Sequence, residues 1–173
     1  MQNLVILKTV LDRVDGDSFE TLEGRITFQK RVYLLQALGL DLGYTFSWNQ
    51  YGPYSSELAQ DGLLIETGVV DESGLKEPLR FTASAEKAFD AFEELTVAPS
   101  NITRAGWMEL LSSLHYVATA VYGKTRIPND DSERLALSSQ VTAAKPYFAN
   151  KAELLSEAWQ RLDAATRGSL AAA

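Results

Sequence analysis

The chain has 173 residues, of which 46% are hydrophobic and 23% charged, the composition of an ordinary globular domain long enough to bury a core. It contains no cysteine, which excludes disulfides, thiolate zinc sites, iron–sulfur clusters and cysteine nucleophiles. Its 16 basic and 23 acidic residues leave a net charge of −7, a balance that opposes nucleic-acid binding, because contact with a phosphate backbone needs Lys and Arg to displace counterions.

The opening stretch carries Leu4, Leu7, Leu11 and Val14 at helical spacing. It has no basic start, Lys8 interrupts its apolar run, and no small-residue cleavage motif follows, so it does not read as a signal peptide. No run approaches the roughly 18 apolar residues of a membrane span. A soluble, cytoplasmic protein is expected. After a glycine- and acid-rich break, "RITFQKRVYLLQALG" aligns Phe28, Val32, Leu35 and Leu38 on one helical face, with Thr27 as a cap and Gly39 as a stop. Residues 40–54 read as mixed loop and extended chain ending at Gly52-Pro53. Proline fixes φ and has no N–H, so a helix can begin just after it, with Ser55 as N-cap and Gly68 as stop.

Residues 69–82 read as a small β-hairpin around Ser73-Gly74, with Pro78 suited to an edge. The rest is helical: a segment carrying Ala85, Phe89 and Phe92, then one carrying Trp107, Leu111, Leu114, Ala118 and Val121 up to Gly123. "DDSE" at 130–133 has the spacing of a capping box and opens a helix that Lys145-Pro146 ends. "NKAE" at 150–153 opens the last helix, which carries Leu154, Leu155, Ala158, Trp159 and Leu162. The expected fold is mostly α with a small β component (α+β). One domain spans 1–173: a winged-helix-like unit over 22–82, a helical part over 83–166 and a frayed tail over 167–173.

Chemistry is sparse. His115, the only histidine, reads as a packed or partly exposed helix residue, since no spacing nominates carboxylate partners for a metal and no Gly-x-Ser-x-Gly elbow accompanies it. "GYTFSWNQYG" lacks both the dinucleotide and the phosphate-loop patterns. No catalytic residue, cofactor or metal is expected, and the chain does not read as an enzyme. If residues 55–67 were a DNA-reading helix, Arg or Lys should line it, yet they carry Glu57, Asp61 and Glu66 and no basic residue. A nucleic-acid-binding winged-helix regulator is the alternative reading. It would need a basic surface elsewhere, built from Arg25, Lys30, Arg31, Lys124, Arg126 and Lys145. The aromatic group Phe46, Trp48, Tyr51 and Tyr54 has two readings, a loop folded over the core or an exposed contact patch.

"FQKRVYLLQ" (28–36) followed by "FSWNQYGPYSSEL" (46–58) resembles the Panacea antitoxin domain and the YwgA-like proteins near it. Gln29, Lys30, Tyr33, Leu34 and Gln36 match the helix of that pattern. Phe46, Trp48, Tyr51, Gly52, Pro53, Ser55 and Leu58 match its second element, while Phe28 stands where leucine is usual. "ELLSSLHYVA" (109–118) and "KPYF" (145–148) look similar to later parts of the same group. The resemblance implies a small, mostly helical, non-catalytic protein that neutralises a toxin or serves a phage-defence or mobile-element system by direct contact. The expected function is therefore that of an interaction or regulatory protein, antitoxin-like, binding another protein. The expected contact residues are Lys30, Tyr33, Trp48, Tyr51, Tyr54 and Glu57: the rings as hydrophobic anchors, Glu57 and Lys30 for charge complementarity.

Overall fold

The structure is a computed structural model and describes residues 2–14, 21–68, 70, 79–123 and 127–170. Helix α1 (Gln2–Arg13) is followed by α2 (Leu22–Ala37), then a hairpin of β1 (Ser47–Asn49) and β2 (Gly52–Tyr54). After it come α3 (Ser56–Glu66), α4 (Ala83–Leu95), α5 (Arg104–Tyr122), α6 (Asp131–Ala144), a 3-10 turn at Pro146–Phe148, and α7 (Ala152–Leu170). The fold is mostly α with one small antiparallel sheet.

Local chemistry sets the helix ends. Thr21, not Thr27, caps α2, its Oγ1 accepting from the Gly24 amide at 3.0 Å. Thr27 lies one turn inside and returns its hydroxyl proton to the Glu23 carbonyl. At the other end Gly39, with φ +97°, lets the Leu40 and Gly39 amides fold back onto the Leu35 and Gln36 carbonyls. Ser55 caps α3 and Asp130 caps α6, as their positions in the sequence predict. The expected tail from 167 is instead helical to Leu170. Arg167 bonds Asp163 and reaches Asn129, which ties down that last turn.

The helical periodicities become two apolar clusters. The larger joins Val10 of α1 and Val14 just after it, Leu34, Leu35 and Leu38, and the inward faces of α4 to α7, including Phe89, Phe92, Trp107, Leu111, Leu114 and Trp159. It crosses residue 82 without interruption. The smaller cluster, Leu7, Leu11, Phe28, Val32, Tyr44 and Leu58, seats α1, α2 and α3 against one another. Both buried indoles find acceptors, Trp107 on the Leu95 carbonyl and Trp159 on Ser138 Oγ, each at 2.9 Å.

The hairpin lies earlier than the one expected. Ser47 pairs with Tyr54, Trp48 with Pro53 and Asn49 with Gly52. The turn Asn49–Gly52 leads straight into α3, so this hairpin precedes that helix. The expected hairpin near 69–82, which would form the wing, falls largely outside the described residues. Val70 and residues 79–82, which are described, are not in strands.

Candidate functional site

Four polar residues of α2, Gln29, Lys30, Tyr33 and Gln36, face the 44–55 segment and α5, and three of them grip backbone. The Gln29 amide donates to the Ser55 carbonyl at 2.9 Å, and its oxygen accepts the Ser55 amide at 2.8 Å. Lys30 Nζ donates to the Pro53 carbonyl at 2.7 Å. Seven residues beyond Gln29, Gln36 makes the same two-way bond with the Tyr44 backbone, at 2.8 and 2.9 Å. Tyr33, between them, meets His115 Nδ1 through its hydroxyl at 2.8 Å. The Tyr44 and Ser55 amides, which belong to no helix or strand, are thus satisfied by side chains, as buried polar groups require.

The opposite side of the hairpin turn rests on α5 and the end of α6. Lys145 forms a hydrogen-bonded ion pair with Glu109 and also donates to the Gln50 carbonyl at 3.3 Å. Its ammonium lies 5.9 Å from the centre of the Trp48 ring, within cation–π reach. Gly52 fills the narrow space between. A Cβ there would stand 2.9 Å from Ser113 Oγ and 3.6 Å from Lys30 Nζ, and φ is already +88°. Ser113 Oγ is buried with no hydrogen bond to the described residues. Burial, then the neighbouring Lys145, push the Lys30 amine down from its ordinary 10.5 to about 7, while Glu109 acts in the opposite sense.

Two clefts open along α2. The first, about 340 Å³, lies between the first half of α2, the hairpin and α3, and its wall includes Leu22, Ile26, Tyr51, Tyr54 and Leu63. Leu22, Tyr51 and Leu63 remain exposed there, Leu63 at 58%. Glu66 and Arg25 stand at this cleft, and α3 carries Glu57 and Asp61 besides. The second cleft, about 480 Å³, lies between the second half of α2, residues 39–46 and α5, and includes Tyr33, Phe46, His115 and Tyr116. Burial pushes the His115 imidazole down from 6.5 to about 4, so it is neutral at pH 7. Burial likewise pushes the Tyr33 phenol up, and burial with the Tyr44–Asp61 hydrogen bond pushes Tyr44 up, so both stay protonated.

These positions correct the expected contact set. Lys30 is 1% exposed and Tyr33 is buried, so neither meets a partner at the surface: α2 turns both inward, onto the hairpin and onto His115. Trp48 and Tyr51 are 37% and 40% exposed, Tyr54 is half-buried, and Glu57 is exposed on α3. The aromatic group therefore divides, with Phe46 packed against the core and Trp48 tilted against Tyr116, ring centres 5.6 Å apart, while still open to solvent. Glu109 and Ser113 escaped the sequence reading, and Lys145 entered it only as a helix stop and as part of a basic surface. Lys145 is 95 residues from the carbonyl it holds, and no local spacing announces such a contact.

The basic surface needed for nucleic-acid binding also fares poorly. Lys30, Arg31 and Lys145 are buried, Arg25 is exposed, and Lys124 and Arg126 lie outside the described residues. Among the described residues, no group of three His, Cys, Asp or Glu side chains is placed to hold a metal ion, and no helix is long and apolar enough to cross a membrane. Compared with family models, with curated proteins and with solved structures, the chain gives no match.

Proposed function

We propose that this protein is a non-enzymatic interaction protein that binds another protein in the cleft between α2, the hairpin and α3. The observation that supports this is the set of large apolar side chains, Leu22, Tyr51 and Leu63, left exposed around an apolar cleft. Exposed apolar groups gathered at one concave place favour a macromolecular contact over plain solvation. The partner segment is amphipathic and basic, because α3 presents Glu57, Asp61 and Glu66 with no positive charge, and the whole chain carries −7. The resemblance to Panacea antitoxin domains accords with this reading and makes the partner a toxin or a defence component.

The test is affinity capture from the native host with the wild type and with Leu63→Asp, followed by titration of the purified captured protein. Leu63→Asp should weaken binding at least tenfold, as for a charge placed at the centre of an apolar contact. Its circular dichroism should match the wild type, since Leu63 is exposed. Equal affinity for the folded variant would remove the cleft from the interface.

A further inference from the structure

The second cleft is separate from the proposed interface and has a different chemistry. Its wall holds four aromatic rings, Tyr33, Tyr44, Phe46 and Tyr116, together with His115 and the Asp41 carboxylate. Among the described residues lining it there is no Lys or Arg. A carboxylate or phosphate would find no cation among those residues, whereas aromatic faces and one carboxylate attract positive charge. The volume of about 480 Å³ lies in the range of roughly 300–1,000 Å³ usual for small-molecule sites.

The hydrogen bonds of the wall assign the remaining polarity. The Thr119 hydroxyl proton goes to the Tyr116 carbonyl at 2.9 Å, and the Tyr33 hydroxyl and His115 Nδ1 share a hydrogen bond at 2.8 Å. The imidazole is neutral at pH 7 and adds no positive charge to the wall. Gln36 is consumed by the Tyr44 backbone, and the Tyr44 hydroxyl by Asp61. The Asp41 carboxylate and the ring faces remain, with no fixed positive group among the described residues of the wall.

We infer that this cavity, between the second half of α2, the 39–46 segment and α5, is a binding site for a small organic ammonium ion. The rings surround the cation, and Asp41 supplies the counter-charge at the rim. Asp41 already accepts the Gly43 amide through Oδ1 at 3.0 Å, which fixes the carboxylate in place.

The test compares three probes of equal size on the isotopically labelled full chain by nuclear magnetic resonance: benzylammonium, benzyl alcohol and benzoate. Benzylammonium should give saturating shifts at residues 39–46 and 115–120. Benzyl alcohol should bind about tenfold more weakly, and benzoate should give no saturable shift. Asp41→Asn, which keeps the bond to Gly43 but loses the charge, should weaken benzylammonium about threefold and leave benzyl alcohol unchanged. Benzyl alcohol binding as tightly as benzylammonium would overturn the assignment. So would the absence of saturation with benzylammonium, or shifts confined to the Leu22–Tyr51–Leu63 cleft.

Discussion

The inner and outer sides of the 47–54 hairpin differ in almost every respect. On the inner side Gly52 and Pro53 are buried against Lys30, Ser113 and Lys145, in a space too small for a methyl group. On the outer side Trp48 and Tyr51 are each more than a third exposed. Three-residue strands cannot hold themselves together in water, since an isolated two-stranded hairpin is at best marginally stable. The hairpin is therefore a surface feature whose shape is dictated from within. Substitutions on its inner side should cost stability, and those on its outer side should cost binding.

Gly52→Ala is the most severe break of that division. The left-handed φ and the close approach to Ser113 Oγ add up to roughly 2–5 kcal/mol of destabilisation, read from urea unfolding. Adding Ser113→Gly should recover the part due to the clash and none of the backbone part. Next comes acid. The His115 imidazole titrates near 4 in the folded protein and near 6.5 once unfolded, so the unfolded chain takes up the proton first. Its contribution is complete above pH 6.5 and falls away as the pH drops, reaching a loss of about 3 kcal/mol by pH 4. The difference between wild type and His115→Gln across that window isolates it.

Lys145→Met should cost about 2 kcal/mol, less than a fully buried pair because Glu109 keeps some access to water. It should also loosen the turn through the Gln50 carbonyl. Pairing it with Glu109→Leu should cost less than the two single changes summed, because no charge is then left alone. The smallest effect on stability belongs to Tyr51→Ser on the outer side, within about 0.5 kcal/mol of wild type. Capture of the partner should nevertheless fall for that variant. A Tyr51→Ser protein that unfolds earlier, with capture intact, would erase the distinction between the two sides.

Most of the helical fold was legible because periodicity reports a buried face directly: Phe89, Phe92, Leu111 and Leu114 lie where their spacing places them. Ser55, Gly39 and Asp130 were legible because caps act over three or four residues. The hairpin at 47–54 was not, since "SWN" and "GPY" have no apolar alternation and a proline stands in the second. Lys30 and Tyr33 were misplaced for the reason that lysine is almost never fully buried unless paired, and its acceptor here is a carbonyl 23 residues away. Of the expected contact residues, Tyr51 and Tyr54 line the proposed cleft, whereas Trp48 and Glu57 are exposed outside its wall. Its apolar rim at Leu22 and Leu63 went unnoticed, because helix residues of that type usually mark the core.

The two glutamines of α2 also set a timetable for hydrogen exchange. The Tyr44 and Ser55 amides belong to no helix or strand, yet each is held by a side chain of α2. They can exchange with solvent only when the stretch from 44 to 55 lifts away from that helix. Their protection should therefore rise and fall together, and together with that of the α2 amides, so that this helix and the following loop open as a single cooperative unit.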